Sequence, residues 1–283
     1  MKSNIAAVVI LYNPRNSVYK NIESYKDQVD LLFVYDNSEI KNFALIDKLE
    51  QNSSLIFIDN EVNKGVGEVL NNAAEKAIDM GCHYLLTMDQ DSKAPKDLVK
   101  KLYEKAIESD KIGIVSPLHS NKFDTHLSLV GQDKNKVMTV MTSGNLLSLK
   151  AFKSVGRFHD DFFIDYIDIE YCIRMNYNNY DVIRINDIVL EHDEGNLVKR
   201  KFLSKIYFPI NNSPIRWYYK TRNLFYLRKI YIKKYPYPLK IEYNVYLRNF
   251  IKMILFEKQR LQKLSMILSG VWDYRKGKRG RKY

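Results

Sequence analysis

Two carboxylates one residue apart close an apolar run in Leu85-Leu86-Thr87-Met88-Asp89-Gln90-Asp91-Ser92. At the carboxyl end of a parallel strand such a pair faces the crevice where open α/β proteins bind ligands. Two like charges there raise one another's pKa unless a cation neutralises them. Mg²⁺ or Mn²⁺ would do so, because both take hard oxygen ligands and keep positions open for substrate phosphates. Asp-x-Asp-Ser is also turn chemistry, with Asp89 or Ser92 capping the helix that starts near Pro95. A second acidic centre lies at Phe163-Ile164-Asp165-Tyr166-Ile167-Asp168-Ile169-Glu170. Read as a helix from Asp165, it has Asp165 as a natural N-cap and Glu170 paired with Arg174 at i,i+4. Asp168 stands out, since three acids among aromatic residues are costly unless a cation or a reaction uses one of them. His192 is either a metal or phosphate ligand or a strand-end histidine satisfied by a neighbour.

The elements that must position these groups follow from periodicity. Ile5 to Tyr12 is an unbroken apolar run, as in a strand buried on both faces, and Asn13-Pro14 ends it. Helical pattern over 18–29, a strand at Leu31 to Tyr35 ending in Asp36-Asn37-Ser38, a helix through Leu49 and a strand at Leu55 to Ile58 give β-α-β-α-β. Asn63-Lys64-Gly65-Val66-Gly67 then leads into a helix over 68–80, a place where free N–H groups and absent side chains suit a phosphate. A basic amphipathic helix over 96–109, a strand at Ile112 to Val115, a polar irregular stretch over 118–136 and a bend at Thr142-Ser143-Gly144-Asn145 follow. Strand patterns recur at 182–185 and 188–190.

Composition bounds the class. The 283 residues include two cysteines, Cys82 and Cys172, which fits a reduced cytoplasmic chain without a disulfide framework. Neither a signal peptide nor a membrane span is expected, because apolar runs are short and interrupted by Lys or Arg. The net charge of +12 hides a split at Lys199. Residues 1–198 carry 22 Lys and Arg against 30 Asp and Glu, whereas residues 199–283 carry 23 against 3. Such asymmetry points to an anionic partner for the basic part, either a membrane surface or nucleic acid. That part reads as helix over 216–234, with Pro214 suited to the first turn, and as one longer helix over about 241–268. Leu247, Ile251, Ile254 and Leu255 give the second an apolar stripe, and Arg248, Lys252, Lys258, Arg260 and Lys263 flank it. Basic amphipathic helices of this kind suit an anionic membrane interface, or else they pack on the body and present a solvated face. Arg275 to Lys282 reads as a flexible tail.

Taken in order, Tyr12-Asn13-Pro14, Asp36-Asn37-Ser38, Asn63 through Asn71, Asp89-Gln90-Asp91-Ser92, Ser143-Gly144, Asp165 through Arg174, His192 and Arg216-Trp217-Tyr218-Tyr219 through Arg222-Asn223 resemble an inverting family-2 glycosyltransferase of GT-A fold. Among these the chain is most similar to bacterial rhamnosyltransferases of surface-polysaccharide assembly. The resemblance implies a Rossmann-like, mostly parallel sheet with helices on both faces, carrying a basic helical carboxyl-terminal extension. It implies a catalytic domain over 1–212, with the nucleotide sugar held by about 1–92 and the acceptor by about 93–212, and a helical region over 213–283.

The implied roles are donor binding by Tyr12, Asn13, Asp36, Asn63, Gly65, Asn71, Asp89, Arg216 and Arg222; Mg²⁺ or Mn²⁺ binding by Asp91 with His192; acceptor-side contacts by Ser143, Gly144 and Asp165; and Asp168 as the base. Ala73 departs from the family pattern, which has glycine there. The implied reaction moves a deoxyhexose, L-rhamnose from dTDP-rhamnose, to a lipid-linked or growing glycan on the inner face of the membrane, with no nucleic acid involved. The alternatives are a nucleic-acid-binding protein using the basic region and a sugar nucleotidyltransferase, which would release pyrophosphate.

Overall fold

A computed structural model describes residues 4–120, 135–192, 199–202 and 205–283. The chain divides into two compact units, Met1–Asp160 with Ile167–Asp193, and Asp161–Tyr166 with Glu194–Tyr283.

The first unit alternates strands and helices as the periodicity predicts. Its elements are β1 (Ile5–Leu11), α1 (Val18–Glu23), β2 (Leu31–Asp36), α2 (Phe43–Glu50), β3 (Ile56–Asp59), α3 (Val66–Asp79), β4 (Tyr84–Asp89), β5 (Ser92–Lys93), α4 (Leu98–Ala106), β6 (Ile112–Ser120), β7 (Asn135–Lys136), β8 (Asn145–Ser148), α5 (Leu149–Val155), α6 (Ile167–Tyr177) and β9 (Asp181–His192). The sheet order is β3-β2-β1-β4-β8-β6-β9-β5, with β7 on β9. Strands β3, β2, β1 and β4 are mutually parallel, and β8 inserts antiparallel between β4 and β6. Alanines 6 and 7 and valines 8 and 9 of β1 are completely buried, which explains why this strand shows no polar alternation. The two patterns at 182–190 are one strand, joined across a register shift where β6 and β9 pair. The polar stretch expected over 118–136 enters β6 at its start, and residues 121–134 lie outside the described ones.

The helix expected from Asp165 instead begins at Ile167. Asp165 and Tyr166 sit at φ 66° and 65°, so neither belongs to a right-handed helix. Both cysteines are free and buried. Burial pushes the Cys172 thiol up to about 12, which keeps it protonated and unreactive.

The second unit holds a small antiparallel pair, β10 (Arg200–Phe202) with β11 (Lys205–Tyr207), and three helices, α7 (Pro214–Tyr231), α8 (Pro236–Phe256) and α9 (Arg260–Arg275). The single helix expected over about 241–268 is broken, because Gln259 takes a left-handed conformation at φ 57°. The break is held from inside. Glu257 accepts from Asn211 N at 2.9 Å and pairs with Lys263 Nζ at 2.7 Å, and both side chains are almost fully buried. Removing one partner of such a pair leaves a buried charge unmatched. Lys263→Met is therefore expected to cost about 3–5 kcal/mol in urea unfolding, whereas the double change with Glu257→Gln should recover part of it.

The expected flexible tail is docked. Tyr226 Oη donates to Lys278 O at 3.1 Å, Gly280 N donates to Asp161 O at 2.6 Å and Lys282 N donates to Tyr219 Oη at 2.9 Å. Asp273 anchors the same segment. It accepts from Tyr218 Oη at 3.0 Å and lies 3.5 Å from both Lys278 and Lys282. Burial disfavours its charge, but the Tyr218 hydrogen bond and the two lysines outweigh that and hold its pKa below the usual carboxylate range. The stability this gives is complete above the ordinary carboxylate pKa and is lost as pH falls through the depressed value. Among the described residues no helix is long and apolar enough to cross a membrane.

Candidate active site

The carboxyl ends of β1, β2 and β4 bring the amino-terminal motifs into one hydrogen-bonded network. Gln90 ties the first motif to the Asp-x-Asp loop, its Oε1 accepting from Tyr12 N at 2.9 Å and its Nε2 donating to Tyr12 O at 3.1 Å. Asn13, at φ 46°, donates its N–H to Ser38 Oγ at 2.7 Å. Asn37 reaches the glycine turn. Its Nδ2 donates to Asn63 Oδ1 at 3.1 Å, and its Oδ1 accepts from Asn60 Nδ2 at 2.9 Å and Lys64 N at 3.2 Å. Gly65 takes φ 81° at the start of α3, a conformation that favours glycine, and donates to Asn63 Oδ1 at 2.9 Å.

Asp36 is the buried acid of this network. Its Oδ1 accepts from Ser38 N at 2.9 Å. Its Oδ2 accepts no hydrogen bond and faces Lys41 Nζ at 3.2 Å, an ion pair without hydrogen-bond geometry. Burial opposes the charge of Lys41, yet Asp59 and Asp36 together hold its pKa above normal. Beside them lies an open depression of about 570 Å³ lined by Asn13, Pro14, Ile40, Lys41, Asn42 and Phe43. Lys41 links the two, lining the depression while facing the Asp36 carboxylate.

Asp89 ends β4 partly buried, with its N–H bonded to Ser143 Oγ at 3.1 Å, and Asp91 is exposed. Ser92 is paired in backbone register with His192 at the end of β9, which brings that histidine's backbone opposite the residue after Asp91. No group of three or more His, Cys, Asp or Glu side chains converges on a metal-sized point among the described residues. One or two carboxylates at an open strand end still fit Mg²⁺ or Mn²⁺, which retain waters and take substrate phosphates instead of an all-protein cage.

Asp168, the second residue of α6, accepts from Ile169 N at 2.9 Å. It lines a cavity of about 20 Å³ together with Thr87, Asn145, Tyr171 and Cys172. Since Thr87 lies two residues before Asp89 on β4, this cavity brings Asp168 beside the strand that delivers the Asp-x-Asp pair. Glu170 is fully buried and bound twice by Arg174, at 2.9 and 2.8 Å, as the i,i+4 spacing predicts. That pairing leaves Asp168 as the carboxylate of α6 with solvent access.

Several motif residues have structural occupations. Asn71 is completely buried and uses its side-chain amide on Phe158, donating to O at 3.0 Å and accepting from N at 2.8 Å. Ser143 is buried as well. It supports Asp89 and donates to Ser92 Oγ at 2.8 Å, and its carbonyl accepts from His119 Nε2 at 2.6 Å, so that nitrogen carries the proton. Gly144 takes φ 75°, and a side chain there would meet Leu190 and Pro117.

The remaining candidates, Asp165, Arg216 and Arg222, belong to the second unit. Arg216 grips Asp165 through Nε at 2.7 Å and a terminal nitrogen at 2.6 Å. Arg222 is almost fully buried and donates to the carbonyls of Gly280, Asp161 and Phe162 and to Asn223 Oδ1. Phe163, Asp165 and Tyr166 all have φ near +65°, each costing on the order of 1–3 kcal/mol that surrounding contacts must offset. Residue spacing assigned no role to Gln90, Ser38, His119 or Asn223. Gln90, Ser38 and Asn223 stand inside the quoted motifs, and that membership was the available signal.

A strand order of 3-2-1-4, an antiparallel strand beyond it and acids at the carboxyl edge of β4 define the GT-A nucleotide-diphospho-sugar transferase architecture. The family model for "Glycosyl transferase family 2" matches residues 6–157, and the chain belongs to that family. It is 30% identical over 245 residues to the dTDP-rhamnosyl transferase RfbF of Shigella flexneri, covering 80% of each chain. It is thus a glycosyltransferase that resembles rhamnosyltransferases. Among solved structures it is similar in fold to the mannosyltransferase PcManGT from Pyrobaculum calidifontis in complex with GDP-Man and Mn²⁺. That match has a TM-score of 0.62 at 14% identity and covers 95% of this chain and 75% of that one. It is also similar to GalNAc-T7 with UDP, GalNAc and Mn²⁺, with a TM-score of 0.61 at 10% identity. The match covers 82% of this chain but about half (48%) of GalNAc-T7.

Proposed function

We propose that this glycosyltransferase moves L-rhamnose from dTDP-rhamnose, with inversion, onto a lipid-linked or growing surface-polysaccharide acceptor. The observation that carries the donor half is Asp36: a buried carboxylate oxygen without a hydrogen bond, at the edge of the strand that pairs with β1, suits the N–H of a thymine base. The name of RfbF supports dTDP-rhamnose as the donor. Tyr12, Asn13, Asn63 and Gly65 would line the rest of the donor site, and Asp89 would serve the ribose.

Asp91, with His192, would hold Mg²⁺ or Mn²⁺, whose charge offsets that developing on the departing diphosphate. Both structures named above hold Mn²⁺ beside their nucleotide ligands. Asp168 acts as general base: its carboxylate takes the proton of the acceptor hydroxyl as that oxygen attacks the anomeric carbon and the bond to the diphosphate breaks. Asp165, fixed by Arg216, contributes to the acceptor side.

A membrane-proximal acceptor agrees with α8. Its apolar stripe is solvent-exposed, with Tyr237, Ile241, Val245, Leu247, Ile251 and Leu255 outward, Lys240 and Arg248 beside them, and Glu242 the helix's single acid. Such a face suits peripheral binding to an anionic leaflet. Vesicles containing phosphatidylserine should retain the chain, and neutral vesicles and duplex DNA should not. Preference for DNA would overturn the membrane reading.

The donor is tested by thermal shift. A ligand bound only to the folded state stabilises it by mass action, by about 2.7 kcal/mol at a hundredfold excess over Kd. With Mn²⁺ present, dTDP-rhamnose should raise Tm more than UDP-GlcNAc or GDP-mannose, and equal shifts would sink the assignment. Release of dTDP on turnover supports transfer, and release of pyrophosphate would favour a nucleotidyltransferase.

A further inference from the structure

The loop Asp161–Tyr166 is a tightly constrained stretch of backbone in the second unit. Three non-glycine residues in four positions hold left-handed conformations, and two adjacent buried side chains of α7 converge on the loop. Asn223 Nδ2 lies 2.9, 2.9 and 3.0 Å from the carbonyls of Phe162, Ile164 and Asp165, its two protons shared among them. Arg222 reaches Asp161 O at 3.2 Å and Phe162 O at 3.1 Å with one nitrogen, and Gly280 O at 2.7 Å with the other. The carboxyl-terminal segment completes the enclosure. Gly280 N donates to Asp161 O, Arg279 pairs with the Asp161 carboxylate, and Arg281 lies over the Phe163 ring. That ring also stacks on Tyr219 at 5.1 Å, and Tyr219 in turn accepts from Lys282 N.

A segment this strained persists only where its surroundings over-determine it, and such segments concentrate at functional sites. The loop carries Asp165 and runs directly into α6, whose second residue is Asp168. The geometry points to a positioning device: Arg222, Asn223 and the docked segment Lys278–Lys282 hold the Asp161–Tyr166 loop in the conformation that transfer requires. Arg222 and Asn223 are positioning residues, acting on carbonyls and touching no substrate. The basic carboxyl terminus is on this account an internal strap for the acceptor-side loop. Its catalytic consequence rests on the reading of Asp168 and Asp165 given above, whereas the strap itself does not.

Gly280→Ala tests it in the full chain. Gly280 has φ 75°, and a Cβ there meets nothing within 4 Å, so the change penalises the docked backbone without disturbing any neighbour. Hydrogen exchange over residues 162–170 should quicken at least tenfold, with exchange over β1, β2 and β4 and the shift produced by dTDP-rhamnose unchanged. The rate of dTDP release should fall at least tenfold, with KM for the donor held within about twofold. Truncation after Lys276 should exaggerate both effects, and a synthetic peptide of residues 277–283 added in trans should reverse them.

Unchanged exchange over 162–170 in Gly280→Ala overturns the strap, and so does loss of protection throughout the chain. Faster exchange there with dTDP release at the wild-type rate overturns the positioning role. If the wild-type chain releases no dTDP, the donor reading has failed separately and exchange alone decides the strap.

Discussion

Asp168→Asn is expected to lower turnover by about 10²–10⁴-fold, the range typical of a lost general base. The substitution is nearly isosteric. Asparagine keeps the side-chain oxygen that accepts from Ile169 N, so α6 keeps its first turn, while the group that removes a proton is gone. Donor titration by thermal shift should be unchanged, which separates a chemical defect from a binding defect. The two neighbouring acids supply the contrast. Glu170 is buried and sequestered by Arg174, so Glu170→Gln should leave a partly buried guanidinium without its charge partner and act first on stability. Asp165 is gripped by Arg216, so Asp165→Asn should loosen the loop before it alters the proton transfer. Near-wild-type turnover by Asp168→Asn would remove the base assignment outright.

Asp91→Ala is expected to abolish most of the stabilisation that dTDP-rhamnose gives in the presence of Mn²⁺, and to reduce turnover at least as severely as the loss of Asp168. The argument is one of charge. Asp91 is the exposed acid of the pair, and among the described residues no cluster of three or more such ligands stands ready to bind a cation strongly without the diphosphate. Removing one carboxylate from so sparse a set removes much of the attraction. Mn²⁺ binding measured by electron paramagnetic resonance, with dTDP present and absent, reads this without any turnover. Asp89→Ala provides the control, since its backbone is fixed by Ser143 and its side chain is assigned to the ribose. Unaltered Mn²⁺ binding by Asp91→Ala would place the cation elsewhere.

Local pattern carried a large part of this reading. The apolar runs of β1, β2 and β4, the glycine turn before α3 and the acids at the strand end depend on burial and backbone conformation, which neighbouring residues largely dictate. The i,i+4 pair of Glu170 with Arg174 and the Pro214 start of α7 are local in the same sense.

Where pattern failed, the deciding partner was distant in the chain. Asn71 sits among donor motifs, but its amide meets Phe158, 87 positions away. Arg222 looks like a phosphate ligand until its contacts with Gly280 and Phe162, 58 and 60 positions away, are known. A run of arginines and lysines at a terminus reads as solvated, although Asp161, 118 positions before Arg279, docks it. The single long helix ended where Glu257 met the backbone of Asn211, 46 positions away.

The sequence by itself determined which residue types stand at the strand ends, and therefore the chemistry open to this chain: carboxylates for a cation and a base, and a glycine turn for a phosphate. Only the tertiary structure showed which of those side chains are already engaged in bracing the scaffold. The physical reason is that a polar side chain's role depends on the hydrogen bonds it has already made, and for Asn71, Ser143 and Arg222 those partners come from segments far apart in the chain.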